Sequence, residues 1–383
     1  MSWNTTCVGD VCKYTTSGGT PRTSVASYYE PPTVPWLKTK EVNYCRIYQT
    51  ESYISQEGLD NSSAKLIPEN SVIVAMYGQG DTAGRVAINK IPVSTNQACC
   101  NLIIDPEKAD YEFVYYALST LYEKLVSLKN GGAQPNLNAQ IIRSVEIPFP
   151  PLETQHKIAA FLSAYDDLIE NNQKQIKLLE EVAQRLYKEW FVDLHFPGHE
   201  TTPIVDGVPE GWAWGTLADI ALFRRGKTIT KDQVKAGIIP VVAGGLEPAY
   251  YHDTPNTNVP VVTVSGSGAN AGFTRMYHTK VWASDCSYID AAVTKNTAWV
   301  YCFLKGNKAS IDAMQKGAAQ PHVYAKDLNA MKALFPDDKL LEQFRVIADP
   351  MFTRIGKLDM QIKRLAEARD RLLPKLMSGE IEV

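Results

Sequence analysis

The densest group of basic side chains in this 383-residue chain lies in one short loop. Its four cations, interspersed with threonines and a glycine, are Arg224, Arg225, Lys227 and Lys231. Such cations beside hydroxyl groups suit phosphate oxygens, and arginine can also donate two hydrogen bonds to the O6 and N7 atoms of guanine. The loop is therefore a candidate nucleic-acid contact, although a basic run of this length also occurs as an ordinary solvated surface.

Two glycine-rich segments, residues 78–84 and 266–272, could also approach a phosphate or a base closely, because glycine has no side chain to block the approach. A dinucleotide-binding fingerprint would require a helix directly after the glycines. Residues 85–88 and 273–276 have the pattern of strands instead. The sequence therefore favours two turns that connect strands.

Polar side chains follow a repeated Ala-Gln-Pro segment in both halves of the chain. Asparagine and glutamine can bind adenine through two hydrogen bonds, but polar residues beside proline also form turns that bind nothing. Both interpretations stay open at this point. The complete set of candidate nucleic-acid contacts is Thr20, Arg22, Lys38, Lys40, Gln79, Arg85, Gln134, Asn136, Arg224, Arg225, Lys227, Lys231, Ser267, Asn270, Arg275, Gln320, His322 and Tyr324.

No group of residues in the sequence has the spacing of a catalytic or metal site. His195 and His199 are four residues apart, but the Pro-Gly pair between them disrupts the helix that such a ligand pair usually needs. The sequence contains no Gly-x-Ser-x-Gly nucleophile motif and no P-loop. The seven cysteines are scattered, without Cys-x-x-Cys pairs, and are predicted to be reduced thiols.

The composition is that of a folded globular protein with two or three domains, since 45% of the residues are hydrophobic and 21% are charged. The N-terminal segment lacks the features of a signal peptide, and no apolar stretch is long enough to span a membrane. These features predict a cytoplasmic protein. A net charge of −3 gives no global attraction to nucleic acid, so positive charge must be local or supplied by a partner.

The chain contains an internal duplication. Residues 113–116 and 132–135 recur in similar form 186 positions later, and so do residues 149–150 and 175–177. The glycine-rich segments match at 188 positions. A collinear series with so long a period indicates two copies of one domain rather than a solenoid.

Each copy is predicted to begin with a mixed α/β globular segment. Residues 71–76 and 259–264 are short apolar runs rich in β-branched residues, which is typical of buried strands. Residues 111–125 have the pattern of a short helix.

Each copy ends in a heptad pattern, which predicts two long helices that pair antiparallel within the chain as a coiled coil. Amphipathic helices lying on a globular core are the alternative, but the apolar stripe is narrow. Asn172 and Arg369 interrupt the stripe, and Pro350 is predicted to break the second helix near its start. The predicted seam contains Ile158, Leu162, Ile169, Ile176, Leu179, Leu186, Ile355, Leu358, Ile362, Leu365 and Leu372.

Residues 147–159 and 168–172, together with 372–381 at the C-terminus, resemble the conserved helical regions of type I restriction-modification specificity subunits. Residues 208–212, Val-Pro-Glu-Gly-Trp, resemble the entry to the second target-recognition domain of that family. The first copy departs from this pattern, because it begins at Trp3 without the Val-Pro-Glu-Gly approach. We expect its leading edge to be shorter or to be completed by the C-terminal tail.

The resemblance implies an α+β fold in which two α/β target-recognition domains are separated by two long antiparallel helices with pseudo-two-fold symmetry. It implies target-recognition domains at residues 1–151 and 193–337, and helical regions at 152–192 and 338–383. Each recognition domain would bind one half of a bipartite site in double-stranded DNA, while the helices would set the spacer and dock two methyltransferase subunits.

The same resemblance implies that this chain has no catalysis, metal or cofactor of its own. S-adenosylmethionine, ATP and magnesium would be bound by the methyltransferase and the restriction or translocase partners. The sequence also lacks an Asn-Pro-Pro-Tyr-like motif, which an autonomous adenine methyltransferase would be expected to carry. The main alternative is a scaffold whose duplicated modules bind proteins, and an enzyme with a concealed active site is a third hypothesis.

Overall fold

The computed structural model describes residues 3–130, 135–315 and 321–382. The chain forms two compact units, Met1–Ile169 together with Arg364–Val383, and Glu170–Lys363. Each unit thus combines one globular part with one end of each of two long helices. The domain boundaries predicted from the sequence separate recognition domains from helical regions, and they stay a prediction.

The first unit contains eleven of the described strands and four short helices, followed by a long helix that continues into the second unit. The strands are β1 (Thr5–Cys7), β2 (Cys12–Ser17), β3 (Val34–Leu37), β4 (Cys45–Ile47), β5 (Tyr53–Ile54), β6 (Leu66–Ile67), β7 (Val72–Ala75), β8 (Val86–Asn89), β9 (Val93–Thr95), β10 (Cys99–Ile104) and β11 (Glu146–Pro148). The helices are α1 (Gln56–Asp60), α2 (Tyr111–Ser119), α3 (Tyr122–Ser127), α4 (Ala139–Arg143) and the long α5 (Leu152–Phe191).

The second unit contains the remaining elements of the described chain. Its strands are β12 (Ile204–Val205), β13 (Val208–Pro209), β14 (Ala213–Thr216), β15 (Arg224–Arg225), β16 (Ile239–Val242), β17 (Tyr250–His252), β18 (Val261–Ser265), β19 (Thr274–Tyr277), β20 (Trp282–Ala283), β21 (Cys286–Asp290) and β22 (Lys332–Phe335). Its helices are α6 (Leu217–Ile220), α7 (Thr297–Gly306), α8 (Lys308–Ala313), α9 (Ala325–Asn329) and the long α10 (Asp338–Ser378), which ends in the first unit.

The main sheet of the first unit has the strand order β2-β10-β7-β8-β4. Its central strands β7 and β10 are buried along their whole length, which explains their continuous apolar sequence. Helix α2 packs on this sheet. It begins where the Asp110 carboxylate accepts a hydrogen bond from the Phe113 amide at 2.9 Å, which is a favourable N-cap.

The second unit repeats this topology. Its main sheet, β15-β21-β18-β19, has the same order as β2-β10-β7-β8, and the parallel pair β16–β20 repeats the parallel pair β3–β9. Among the described residues of the second unit no strand corresponds to β4. The duplication and the mixed α/β class expected from the sequence are thereby confirmed, as are the strands that follow both glycine-rich turns. The helix predicted at residues 111–125 is divided into α2 and α3.

The two long helices run antiparallel within each unit. In the first unit the beginning of α5 packs with the end of α10, since Ile158 and Leu162 share a core with Leu376. In the second unit the end of α5 packs with the beginning of α10, since Trp190 and Phe344 lie 6.1 Å apart. Every predicted seam residue is buried or half-buried.

The predicted break at Pro350 is wrong, because α10 continues from Asp338 to Ser378. Proline removes one amide donor, the partner of the carbonyl four residues earlier. That carbonyl belongs to Val346, a residue 65% exposed, so water can replace the missing donor. Ala164, the counterpart of Pro350 in the first copy, also lies inside a continuous helix.

Candidate nucleic-acid interface

A cleft of about 220 Å³ in the second unit brings together three of the residues predicted from the sequence. They are Arg225 on the edge strand β15, and His322 and Tyr324 in the segment before α9. Asp285, which precedes β21, lies in the same lining. The cleft therefore presents a cation, a carboxylate and two aromatic rings in one place.

Backbone hydrogen bonds hold the walls of this cleft. The Gly266 amide donates to the Asp285 carbonyl at 3.1 Å, and the Val323 amide donates to the Gly266 carbonyl at 3.1 Å. The Ser267 hydroxyl donates to the Asp285 carboxylate, and Ser267 also forms an isolated β-bridge with His322. These hydrogen bonds fix the backbone from which the side chains of the cleft project.

The aromatic side chains of the cleft are stacked. The His322 and Tyr324 rings lie 5.9 Å apart with an angle of 13° between their planes. The Lys326 ammonium lies 5.8 Å from the Tyr324 ring, within the range of a cation–π interaction. Tyr324 is 41% exposed, so its ring is available to a planar ligand. Stacked rings beside a guanidinium and a carboxylate can bind the face and the edge of a base.

Cys286, also in the lining, has no catalytic character. Burial raises the pKa of its thiol to about 12. Since the thiolate is the nucleophilic form, this cysteine stays protonated and unreactive at neutral pH.

The other candidate residues of the second unit lie outside this lining. Arg224, Lys227 and Lys231 are exposed, and the Lys227 ammonium lies 5.9 Å from the Trp282 ring. The Arg275 guanidinium donates to the Leu246 carbonyl at 3.0 Å. Asn270 ends the short 3₁₀ turn at Gly268–Asn270.

The first unit carries different side chains on the same backbone framework. The Leu137 amide donates to the Met76 carbonyl at 3.0 Å, as Val323 does to Gly266, so these two segments correspond. The Gly18 amide donates to the Cys99 carbonyl at 3.3 Å, as Gly226 does to Cys286 at 2.8 Å. The positions of Arg225, Asp285, His322 and Tyr324 are therefore occupied in the first unit by Ser17, Ala98, Asn136 and Asn138.

A wider groove of about 740 Å³ lies along the same edge of the first unit, between β2 and α4. Thr15, Thr16, Gln140 and Arg143 line it. Among the candidate residues of this unit, Asn136 lies three residues before Ala139 of the lining, and its backbone pairs with Asn130 at 2.8 and 2.9 Å. Gln134 and its counterpart Gln320 lie outside the described residues.

The remaining candidates of the first unit already have protein partners or are exposed. Thr20 donates to Gln97, Lys40 pairs with Glu51, and Lys38 lies 4.8 Å from the Trp36 ring. Arg85 pairs with Asp81 at 2.6 Å. Arg22 and Gln79 are exposed. Their predicted role in DNA binding stays a prediction.

Several polar residues of these clefts were missed by reasoning from the sequence, among them Asp285, Gln140 and Arg143. Asp285 is a single acidic residue beside a cysteine and belongs to no recognisable motif. Gln140 and Arg143 lie in the short amphipathic helix α4. Aligning the two copies strand by strand would have placed Asp285 opposite Ala98, but the loops change length between the copies.

Among the described residues, no cluster of histidine, cysteine and acidic side chains could hold a metal ion. None of the seven cysteines, all of which lie in the described ranges, forms a disulfide. None of the helices in the described ranges combines the length and the apolar character that crossing a membrane requires.

Comparison with known proteins agrees with this architecture. Residues 1–181 match the family model of the type I restriction modification DNA specificity domain. The type I restriction enzyme MjaIX specificity subunit of Methanocaldococcus jannaschii is 28% identical over 96% of this chain and 90% of its own length. A putative type I specificity subunit of Mycoplasma genitalium, S.MgeORF438P, is 27% identical over 79% of this chain and 80% of its own length.

The same fold occurs in a solved structure. The crystal structure of a type I restriction-modification system S subunit from M. genitalium has a TM-score of 0.63 and 18% identity, and the alignment covers 98% of this chain and 96% of that one. The family model, the near full-length curated relatives and the duplicated fold agree with one another. Residues 1–181 thus match the type I restriction modification DNA specificity domain, and nearly the whole chain is similar to a type I restriction enzyme specificity subunit.

Proposed function

We propose that each unit of this chain binds one half of a bipartite DNA site, and that the long helices set the spacer and dock two methyltransferase subunits. The observation that carries this proposal is the pair of corresponding clefts. One backbone framework holds Arg225 and Asp285 in the second unit and Ser17 and Ala98 in the first. A shared framework with different side chains is what two readers of different base sequences require.

The side chains suggest how the second unit distinguishes bases. Arginine donates to guanine O6 and N7, and aspartate accepts from cytosine N4. Arg225 and Asp285 line one cleft, so we expect the half-site of this unit to contain a G·C pair. The first unit offers hydroxyl and amide groups at the corresponding positions, which suits adenine and phosphate contacts.

The helices offer a surface for partner subunits. Phe161, Leu168, Leu178 and Val182 on α5 are 42–60% exposed, and several such side chains on one helix are typical of a surface that binds protein. We propose that the methyltransferase subunits bind S-adenosylmethionine and transfer methyl groups to adenine. Restriction or translocase subunits would bind ATP and magnesium, and this chain would supply no cofactor.

The first experiment is to co-express the chain with the methyltransferase encoded beside it in a host that lacks adenine methylation. Methylated adenines are then mapped by single-molecule sequencing. A split motif with a fixed spacer, absent when this chain is omitted, supports the proposal. A stable complex that methylates nothing would favour the protein-binding scaffold, and the absence of a complex would contradict docking through the helices.

A further inference from the structure

A charged pair lies in the otherwise apolar contact between α5 and α10 in the first unit. The Arg369 guanidinium on α10 donates to the Asp166 carboxylate on α5. The Tyr116 hydroxyl on α2 donates to the other oxygen of the same carboxylate. The Asp166 and Arg369 side chains are only 12% and 24% exposed. Together these residues form a polar triad of Tyr116, Asp166 and Arg369.

The duplicated positions in the second unit hold no charge. The repeat has a period of 186 residues. The counterparts of Tyr116, Asp166 and Arg369 in the second unit are therefore Cys302, Phe352 and Ala183. All three belong to the hydrophobic core of the second unit and are at most 5% exposed. The two helices are thus related by duplication, yet at these three positions the residues are polar in the first unit and apolar in the second.

We propose that the polar triad makes α5 select α10 as its partner and reject a second copy of itself. Because the helices arose by duplication, α5 could in principle pair antiparallel with the α5 of another chain, and α10 with another α10. We call these like pairs, and α5–α10 the unlike pair. In a like pair of α5 helices Asp166 would lie opposite Ala183, and in a like pair of α10 helices Arg369 would lie opposite Phe352.

Like pairing therefore leaves buried charges without their partners. Each α5 pair would contain two carboxylates without arginine, and each α10 pair two guanidinium groups without Asp166. Removing one partner of a buried ion pair is strongly unfavourable because the remaining charge is desolvated, and a single polar position in a helix seam is known to fix partner choice. Arg369 keeps a contact with Asp370, so we expect the preference for unlike pairs to be at least about tenfold.

The experiment uses the whole folded chain, cut once. A protease site is inserted at the exposed turn between β12 and β13, at Asp206 and Gly207, and the purified protein is cleaved after folding. Each resulting half carries one long helix. The halves are allowed to dissociate and reassociate at low protein concentration, and native mass spectrometry then counts like and unlike pairs.

The decisive variant carries Y116C, D166F and R369A. These substitutions introduce the residues that the second unit has at the corresponding positions. In a like pair of α5 helices, the phenylalanine ring introduced by D166F would then lie against Ala183. In the native second unit, Phe352 and Ala183 belong to the same hydrophobic core. We expect unlike pairs to outnumber like pairs at least about tenfold in the wild type, and a substantial share of like pairs in the variant. The control D166R/R369D reverses the pair while keeping it in place, and should give the same excess of unlike pairs as the wild type.

The proposal would be overturned if the cleaved wild type formed like pairs in the same proportion as the triple variant. So would a triple variant that folds, as judged by circular dichroism, and still forms unlike pairs alone. If the triple variant does not fold, the wild type and D166R/R369D still decide the matter, because the absence of an excess of unlike pairs in either of them contradicts selection by the charged pair.

Discussion

The indole Nε1 of Trp3 donates a hydrogen bond to the backbone carbonyl of Leu376 at 3.5 Å. In the second unit Trp212 holds the corresponding place before β14, with its ring 6.0 Å from that of Phe191 at the end of α5. The start of the first unit is thus completed by the end of α10, in the same way as the start of the second unit is completed by the end of α5. This confirms the expected role of the C-terminal tail.

Trp3→Ala is expected to destabilise the first unit by about 1–3 kcal/mol, because it removes both a partly buried ring and a hydrogen bond. Chemical unfolding followed by circular dichroism measures the change. Trp214→Ala is the matched control, since Trp214 is 64% exposed and its loss should change stability by less than about 0.5 kcal/mol. Equal effects of the two substitutions would contradict the role assigned to Trp3.

The seam of α5 permits a comparison within one helix. Leu162 is fully buried, so Leu162→Ala should destabilise the protein by about 2–5 kcal/mol through lost burial and a residual cavity. Leu168 is 50% exposed, so Leu168→Ala should change stability by less than about 0.5 kcal/mol. Thermal unfolding measures both, and a large effect at Leu168 would show that it is buried by a partner in solution.

Pro350→Ala is expected to stabilise α10 by about 1–2 kcal/mol. The substitution restores an amide donor inside the helix, and the gain is reduced because alanine gives the unfolded chain more freedom than proline. The thermal midpoint should rise while methylation is retained. A lower midpoint would mean that the helix needs the proline for packing.

The buried thiols make stability depend on alkaline pH. Burial raises the pKa of both Cys100 and Cys286 to about 12, whereas the pKa of an exposed cysteine is about 8.5. Native thiols therefore keep protons that the unfolded chain loses. Their contribution is fully present below about pH 8.5 and is lost as the pH rises toward 12, with a slope of about 1.4 kcal/mol per pH unit for each thiol.

Urea unfolding between pH 7 and 10.5 tests this prediction. Cys286→Ala should reduce the loss of stability per pH unit by the contribution of one thiol. The substitution also lowers stability at neutral pH. Identical slopes in the variant and the wild type would show that Cys286 is accessible to water in the native state.

Replacing Arg224 and Arg225 together by alanine should reduce methylation at the target site by about 5-fold to 150-fold, because a good arginine–guanine contact contributes about 1–3 kcal/mol of discrimination. The matched control is Thr16→Ala with Ser17→Ala, at the corresponding positions of the first unit. It should affect only the other half of the site. Single-molecule sequencing measures both, and size-exclusion chromatography checks that each variant forms the proposed complex with the methyltransferase as the wild type does. An unchanged motif and rate in the arginine variant would contradict DNA contact through β15.

The sequence by itself determined the elements of this protein that depend on local periodicity and on repetition. The heptad stripe from Ile158 onward predicted α5 and α10, since apolar residues at alternating steps of three and four positions form one continuous stripe only on a helix. The 186-residue period identified two copies of one fold. The resemblance of residues 147–159 to a known family then indicated the function.

Only the tertiary structure decided which side chains meet. The sequence identified Arg225, His322 and Tyr324 as separate candidates, and the sheet brought them beside Asp285, which had no signal of its own. Arg369 was visible only as an interruption of the seam until Asp166 and Tyr116 were found against it. Proline at position 350 was predicted to break a helix, yet packing of the surrounding apolar residues keeps the helix continuous. Contacts between residues far apart in the chain depend on packing free energy summed over a whole core, which local spacing does not contain.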